Sequence, residues 1–316
     1  MRMAALLGLV SLAVGCSSPR ALETLPAESS AVVRLATGAP GGGFYPFGAS
    51  LAEEFTRARA GVRIEHRPSR GAVANLGAIQ RGDADVAFAF ADVAYLAYVG
   101  RLDLTQPRFD QLRAIAVLQL TPVQLVARAG SRIRSVYDLR GRRVAMGPEG
   151  SGTALTARLI MDAFGVPSGA VREEFLEFRT AGIRLVEGHL DAMFDNAFYA
   201  ESAADALRSG ARLVTIQGPP VERLGRQYPF LRMTVVPRDT YPQVNVVETI
   251  GVDSLLVCRS SLDQAVVHQF TKALFDALPS FSTTQRRFTE LDQAPAAPIP
   301  LHEGAARYYR EHELLR

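Results

Sequence analysis

From Ala31 onward, short apolar runs alternate with amphipathic stretches. AVVRLA (31–36) predicts a strand. The glycine-rich segment TGAPGGG (37–43) follows, and ASLAEEFTRA (49–58) spaces its apolar positions as a helix. VRIEHR (62–67) alternates with a period of two, and GAVANLGAIQRG (71–82) reads as a helix closed by Gly82. ADVAFAF (84–90) predicts another strand, and ADVAYLAYVG (91–100) opens a further helix. This βαβαβ order predicts a mainly parallel sheet with flanking helices, an α/β fold.

The texture then changes. LRAIAVLQLTPVQLVARAG (112–130) is a long extended run, broken at Thr121-Pro122. SVYDLRGRRVAMG (135–147) predicts a short helix, a turn at Gly141 and a strand. A second glycine turn, GPEGSGT (147–153), leads into the helix ALTARLIMDAFG (154–165), so the order strand, glycine turn, helix occurs twice. HLDAMFD (189–195) and ARLVTIQ (211–217) predict strands, the latter followed by Pro219-Pro220. DSLLVCRSS (253–261) mirrors QLVARAGS (124–131) in apolar pattern, and the helix LDQAVVHQFTKALFDALP (262–279) comes after it. Two extended runs, one leaving and one returning, suit a hinge. The expected organisation is one lobe from residues 31–122 and 254–316, and a second from residues 123–253.

The N-terminus reads differently. MRMAALLGLVSLAVGC (1–16) carries one arginine and then an apolar run too short to span a bilayer, the layout of a secretory signal over residues 1–15. LAVGC resembles a bacterial lipobox, which implies a lipidated Cys16; the alternative is a secreted protein cut nearby. Residues 16–30 are polar with two prolines and are expected to form a flexible tether. With Ser17 after the cysteine, the resemblance points to the outer membrane in a cell that has two. If Cys16 is acylated, the chain's other cysteine, Cys258, has no partner for a disulfide; its apolar surroundings read it as a small buried residue.

Composition removes several functions. Lys+Arg number 35 and Asp+Glu 32, for a net charge of +3, and the arginines are scattered among acids, so no nucleic-acid face is expected. The five histidines are far apart, and neither H-E-x-x-H nor C-x-x-C occurs, so no metal site is expected. Residues 37–43 lack the lysine of a phosphate-binding loop and the spacing of a dinucleotide site, so no cofactor is expected. Ser151 lies outside a nucleophile-elbow pattern, and no catalytic residue is assigned. The pairs Glu53-Glu54 and Glu173-Glu174 read as solvated charges on helix surfaces.

What remains is two helix N-termini, each preceded by glycines. The first turn of a helix leaves backbone N–H groups unpaired and carries partial positive charge. Glycine lets an anion approach those donors closely, which suits a carboxylate. Ser151 and Thr153 add hydroxyls in the second turn; Phe44 and Tyr45 offer an apolar wall and a polar tip in the first. Two such turns facing each other would clamp a small acid.

TGAPGGGFYPFGASLA resembles the N-terminal signature of the TAXI family, the solute receptors associated with TRAP transporters. The similarity continues through AVANLGAIQRGDADVAFAFADVAY, TPVQLVARAGSRIRSVYDLRGRRVAMGPEGSGTALTARLIMDAFG, YPFLRMTVVPRDTY and PLHEGAARYYRE, nearly the whole chain after the tether. The resemblance implies a two-lobed type II periplasmic-binding-protein fold that closes on a small organic acid or amino acid. It implies delivery to TRAP membrane permease subunits; the alternative partner is a sensor kinase. By position, the ligand contacts it implies are Gly38, Gly42, Gly43, Phe44 and Tyr45, then Ser69 and Asn75, then Asp92, then Gly150, Ser151, Gly152 and Thr153. The segment from Phe194 to Tyr199 is expected to face the cleft, bringing Asp195, Asn196 and Tyr199 to it. Three departures bear on the ligand. Arg70 stands where the family often has glycine, and either charges the cleft or points to water. Phe90-Ala91 replaces a polar pair. Asp195 either pairs with Arg70 or with a ligand amine, or is a loop carboxylate. The protein is expected to be an extracytoplasmic monomer, anchored to a membrane through Cys16.

Overall fold

The computed structural model describes residues 31–58, 60–102, 107–197, 199–242, 244–281 and 291–315. The leader, the tether and Cys16 lie outside them. In chain order the elements are β1 (Ala31–Ala36), α1 (Phe44–Arg57), β2 (Val62–Arg67), α2 (Ala72–Arg81), β3 (Val86–Phe90), α3 (Ala91–Tyr98) and β4 (Leu112–Ala127). Then come β5 (Arg143–Ala145), α4 (Gly152–Ala163), β6 (Arg172–Glu174), α5 (Phe178–Val186), β7 (Ala192–Asn196), α6 (Glu201–Arg208) and β8 (Arg212–Val214). The chain ends with α7 (Pro219–Gln227), β9 (Leu231–Val236), β10 (Val247–Arg259), α8 (Gln264–Ala277) and α9 (Glu303–Glu311).

The strands form one curled mixed sheet in the order β2-β1-β3-β10-β4-β7-β5-β6, with β8 beside β4 and β9 beside β10. β1 lies parallel between β2 and β3, and β5 parallel between β6 and β7. β3, VAFAF, is buried along its whole length, as a central strand covered on both faces requires. The βαβαβ reading of residues 31–100 therefore holds element by element. Gly82 closes α2 in the left-handed conformation at φ 78°.

β4 and β10 connect the two ends of the sheet. They run antiparallel, with Pro122 opposite Gly251, and a 2.7 Å hydrogen bond joins the Thr121 and Ser254 hydroxyls. β4 is not broken at Thr121-Pro122 as expected. Its partner changes from β10 to β7 after Pro122, so the missing N–H falls where one ladder gives way to the next. β10 starts at Val247, ahead of its apolar run, because its first residues pair with β9. Glu173 and Glu174 sit on β6, not on a helix; each meets an arginine, Arg158 at 2.6 Å and Arg184 at 2.7 Å.

After β10 the chain returns to its beginning. Phe270 and Leu274 of α8 and Tyr308 and Tyr309 of α9 share a core with Leu35, Phe47, Leu51 and Phe55. The Tyr309 hydroxyl donates to the Ile115 carbonyl at 2.9 Å, anchoring α9 to β4. A second core lies between α5, α6 and the sheet around Met193 and Tyr241. The largest runs through α2, α3, β4, α4 and α7, joining both ends of the molecule. Cys258 is buried and free. Among the described residues no helix is long and apolar enough to cross a membrane.

Candidate functional site

The two glycine turns meet. A small cavity of about 30 Å³ is lined by Gly38, Ala39, Gly42, Gly43 and Phe44 from the first turn and the start of α1. Arg70, Gly71 and Ala72 at the start of α2 and Phe90 at the end of β3 continue the same side. Ser151, Gly152 and Thr153 at the start of α4, Phe178 at the start of α5 and Asn196 at the end of β7 form the opposite side. Four helix N-termini thus converge on one space, and all of them direct partial positive charge at it.

The walls touch. The Gly150 carbonyl accepts from the N–H groups of Val73 and Ala74, both at 3.1 Å, so a loop from one side caps α2 on the other. Gly71 has φ 124°, a conformation only glycine adopts readily, and a Cβ there would lie 3.1 Å from the Ser151 Cα. Gly152 has no room for a Cβ either, because the Phe90 ring occupies the place. Phe44 stacks on Phe88 and packs tilted against Phe90, with centroids 5.2 and 4.6 Å apart. The remaining volume equals about one water molecule. Any larger ligand enters only if the walls separate.

Asn196 is 4% exposed, and neither its amide nitrogen nor its amide oxygen has a hydrogen-bond partner. Burying both ends of an amide unpaired is costly, so a polar group in the adjoining cavity would stabilise it. The Ser151 hydroxyl accepts from Ala154 N–H at 3.3 Å as a helix cap, which leaves its proton free to donate. Arg70 lines the cavity, but its side chain is 70% exposed and lies 3.8 Å from Glu149 across the mouth.

Several expected contacts sit elsewhere. Tyr45 turns away and packs its ring edge-on against His66, at 5.0 Å. Ser69 and Asn75 are spent within the loop. Ser69 Oγ donates to Asn75 Oδ1 at 2.6 Å, and Asn75 Nδ2 donates to the carbonyls of Thr37 at 2.6 Å and Phe88 at 2.7 Å. Asp92 is fully buried behind the cavity and accepts from the Thr156 hydroxyl of α4 at 2.6 Å. Burial pushes its carboxyl up to about 6, against the pull of that hydrogen bond.

Asp195 does not meet Arg70. On β7, Phe194 packs in the large core toward α4, while Met193 packs in the core of α5 and α6. By strand alternation Asn196 shares the first face and Asp195 the second. There the Ser202 hydroxyl donates to Asp195 at 3.3 Å, and burial raises the carboxyl to about 7. Next to it the Tyr241 hydroxyl donates to Gln124 Oε1 at 2.7 Å and accepts from Ala200 N–H at 2.9 Å, and Gln124 Nε2 donates to the Ala197 carbonyl at 2.6 Å. This network fixes the wall that follows Asn196. Tyr199 is 48% exposed and stacks on Tyr241. Gly150 serves through its carbonyl, not its N–H. The sequence reading missed Ala39, Gly71, Ala72 and Phe178. Ala39 and Gly71 adjoin assigned residues and Ala72 lies two positions after Arg70; Phe178 lies in a stretch with no glycine signal before it.

The fold is that of the type II periplasmic binding proteins, with the cleft between facing glycine turns. The chain belongs to the NMT1-like family, whose model matches residues 35–312. It superposes on a protein of Bordetella bronchiseptica RB50 with a TM-score of 0.56 at 13% identity, over 90% of this chain and 99% of that one. A solved periplasmic transporter matches at 0.56 and 16% identity, over 90% and 94% of the two chains. The alkanesulfonate-binding protein SsuA from Xanthomonas axonopodis pv. citri, bound to MOPS, matches at 0.50 and 14%, over 89% and 83%. At such identities the likeness is one of fold.

Proposed function

We propose that this protein is an extracytoplasmic solute receptor that closes on a small carboxylate and passes it to a membrane transporter. The observation that carries this reading is Asn196, whose buried, unpartnered amide lines a cavity ringed by helix N-termini. A carboxylate accepts from N–H groups, from the Ser151 hydroxyl and from the Asn196 amide nitrogen; the Asn196 oxygen is left for a ligand hydroxyl or amine. No carboxylate lines the cavity itself, and Glu149 at its mouth stands beside Arg70. Residues 31–122 with 254–316 and residues 123–253 act as the two lobes, hinged at the Pro122–Gly251 crossing. No catalytic step is assigned.

The resemblance of the glycine turns to the TAXI signature supports a TRAP-type permease as the recipient. The expected Cys16 anchor favours a second reading, a ligand sensor that reports its closed state to a signalling partner. A thermal-shift screen over carboxylates, amino acids and sulfonates tests the binding claim, because a ligand that binds only the folded state raises the melting temperature. A carboxylate is expected to score, and Asn196→Ala to weaken it about 10- to 100-fold by removing hydrogen bonds to a charged group. A screen in which no carboxylate scores, or an Asn196→Ala variant that binds as well as the parent, overturns the reading.

A further inference from the structure

At the strand ends opposite the cleft lies a depression of about 320 Å³, lined by Arg128, Gly130, Ser131, Arg132, Ile133, Arg142 and Asp191. It sits where β4 ends and where β5 and β7 begin, whereas the cleft sits where β5 and β7 end. Asp191 and Asn196 are separated by the length of β7, about 17 Å at strand rise. The two sites are therefore separate.

The charges here do not balance. Three arginines line the depression against one carboxylate, Asp191. That carboxylate is already committed to Arg143, accepting from its backbone N–H at 2.9 Å, its Nε at 3.3 Å and its Nη2 at 3.3 Å. Arg128 reaches Asp191 only at 3.9 Å, and its Nε is shut off from solvent with no hydrogen-bond partner. Arg132 and Arg142 are exposed and form no ion pair among the described residues. Beneath them Arg212 donates to the Ser131 carbonyl, and Arg134 donates to the same oxygen at 3.2 Å. Burial, and then repulsion from Arg134, lowers the affinity of Arg212 for its proton. Three guanidinium groups around a hollow whose one carboxylate is committed elsewhere suit an anion with several acceptor oxygens, the geometry that guanidinium forks match.

We infer that this depression binds a phosphate group, with Arg128, Arg132 and Arg142 donating to its oxygens. The volume leaves room for more than the bare ion, so the phosphate is carried by a soluble ester or by a lipid headgroup.

Two arms of one experiment test this and separate the sources. In the first, melting of the purified protein is followed with inorganic phosphate against chloride at matched ionic strength. Phosphate is expected to raise the melting temperature by a few degrees. Arg132→Ala/Arg142→Ala is expected to need about tenfold more phosphate for the same shift, as loss of charge-assisted hydrogen bonds implies. Both side chains are exposed and form no ion pair among the described residues, and Arg142 attracts Asp138 only at longer range, so the double variant is expected to stay within a few degrees of the parent's melting temperature in chloride. Asn196→Ala keeps the phosphate response, which excludes the cleft as its source. In the second arm, co-sedimentation compares phosphatidic acid vesicles with phosphatidylcholine vesicles. Pelleting with the former alone, lost in the double variant, assigns the group to a lipid; a response to inorganic phosphate alone assigns it to a soluble ester. Either supports the site. It is overturned if neither arm responds, or if the double variant responds like the parent.

Discussion

Asp195 and Asn196 are neighbours with opposite tasks, and the difference is one step of strand alternation. Asn196 faces the cavity, while Asp195 faces the core of α5 and α6. In that core Ser202 donates to Asp195, with Gln124 and Tyr241 close by, and no cation offsets its charge. Its pKa is raised from 3.8 to about 7. Below the lower value the carboxyl is protonated whether the chain is folded or not; between the two only the folded chain holds the proton. Stability contributed by this residue therefore falls as pH rises through that window, and above about 7 the whole cost of the buried charge is present. Asp195→Asn removes the ionisation. It is expected to stabilise the protein by roughly 2–4 kcal/mol at pH 8 and by little at pH 4, read from denaturant melts at both. An equal effect at both pH values would mean that Asp195 does not titrate in this range. The sequence made both residues visible as departures from a family pattern. It did not show which of them faces the ligand, because alternation fixes a face only once the strand's neighbours are known.

The elements were read well where local signals mark them. Gly82 stops α2, and α3 follows β3 without a gap; both come from turn chemistry and periodicity within a short window. Short strands such as β6 and helices such as α5 carry weak local signals, because their stability comes from what covers them. Asn75 shows how a residue picked for a site proves to be a brace. It sits in α2, fully buried, and its amide donates to the carbonyls of Thr37 after β1 and of Phe88 in β3. One side chain thus ties a helix to two strands and shapes the loop that carries Arg70 and Gly71. Asn75→Ala leaves two buried carbonyls without this donor and is expected to cost about 2–4 kcal/mol of unfolding free energy, measured by urea titration. A change below about 0.5 kcal/mol, within the range of ordinary surface substitutions, would show that water replaces the amide.

At the scale of the molecule, the two ends of the chain close one core, β4 and β10 cross between the halves of the sheet, and the glycine turns meet at a cavity with room for one water. The direction of the two long strands was legible in the sequence. The facing of the glycine turns was also expected, but the closeness of their approach was not, because it depends on residues far apart in the chain, such as Phe90 and Gly152. That pair supplies a test of closure. Gly152 begins α4 without a positive φ, so alanine suits its backbone, and the atoms nearest the added methyl belong to the Phe90 ring and the Ala72 Cβ, the latter 3.1 Å away. On the proposed lobe division, the Gly152→Ala clash falls on the closed arrangement and not within either lobe. The variant is expected to keep the parent's melting temperature within a few degrees, to show a larger radius of gyration by X-ray scattering, and to bind its ligand at least tenfold more weakly, the penalty of a depleted closed state. Phe90→Ala added to Gly152→Ala removes the obstruction, so scattering from the double variant is expected to return toward the parent value. If Gly152→Ala scatters like the parent and binds as tightly, the ring yields without cost, and the contact does not govern closure.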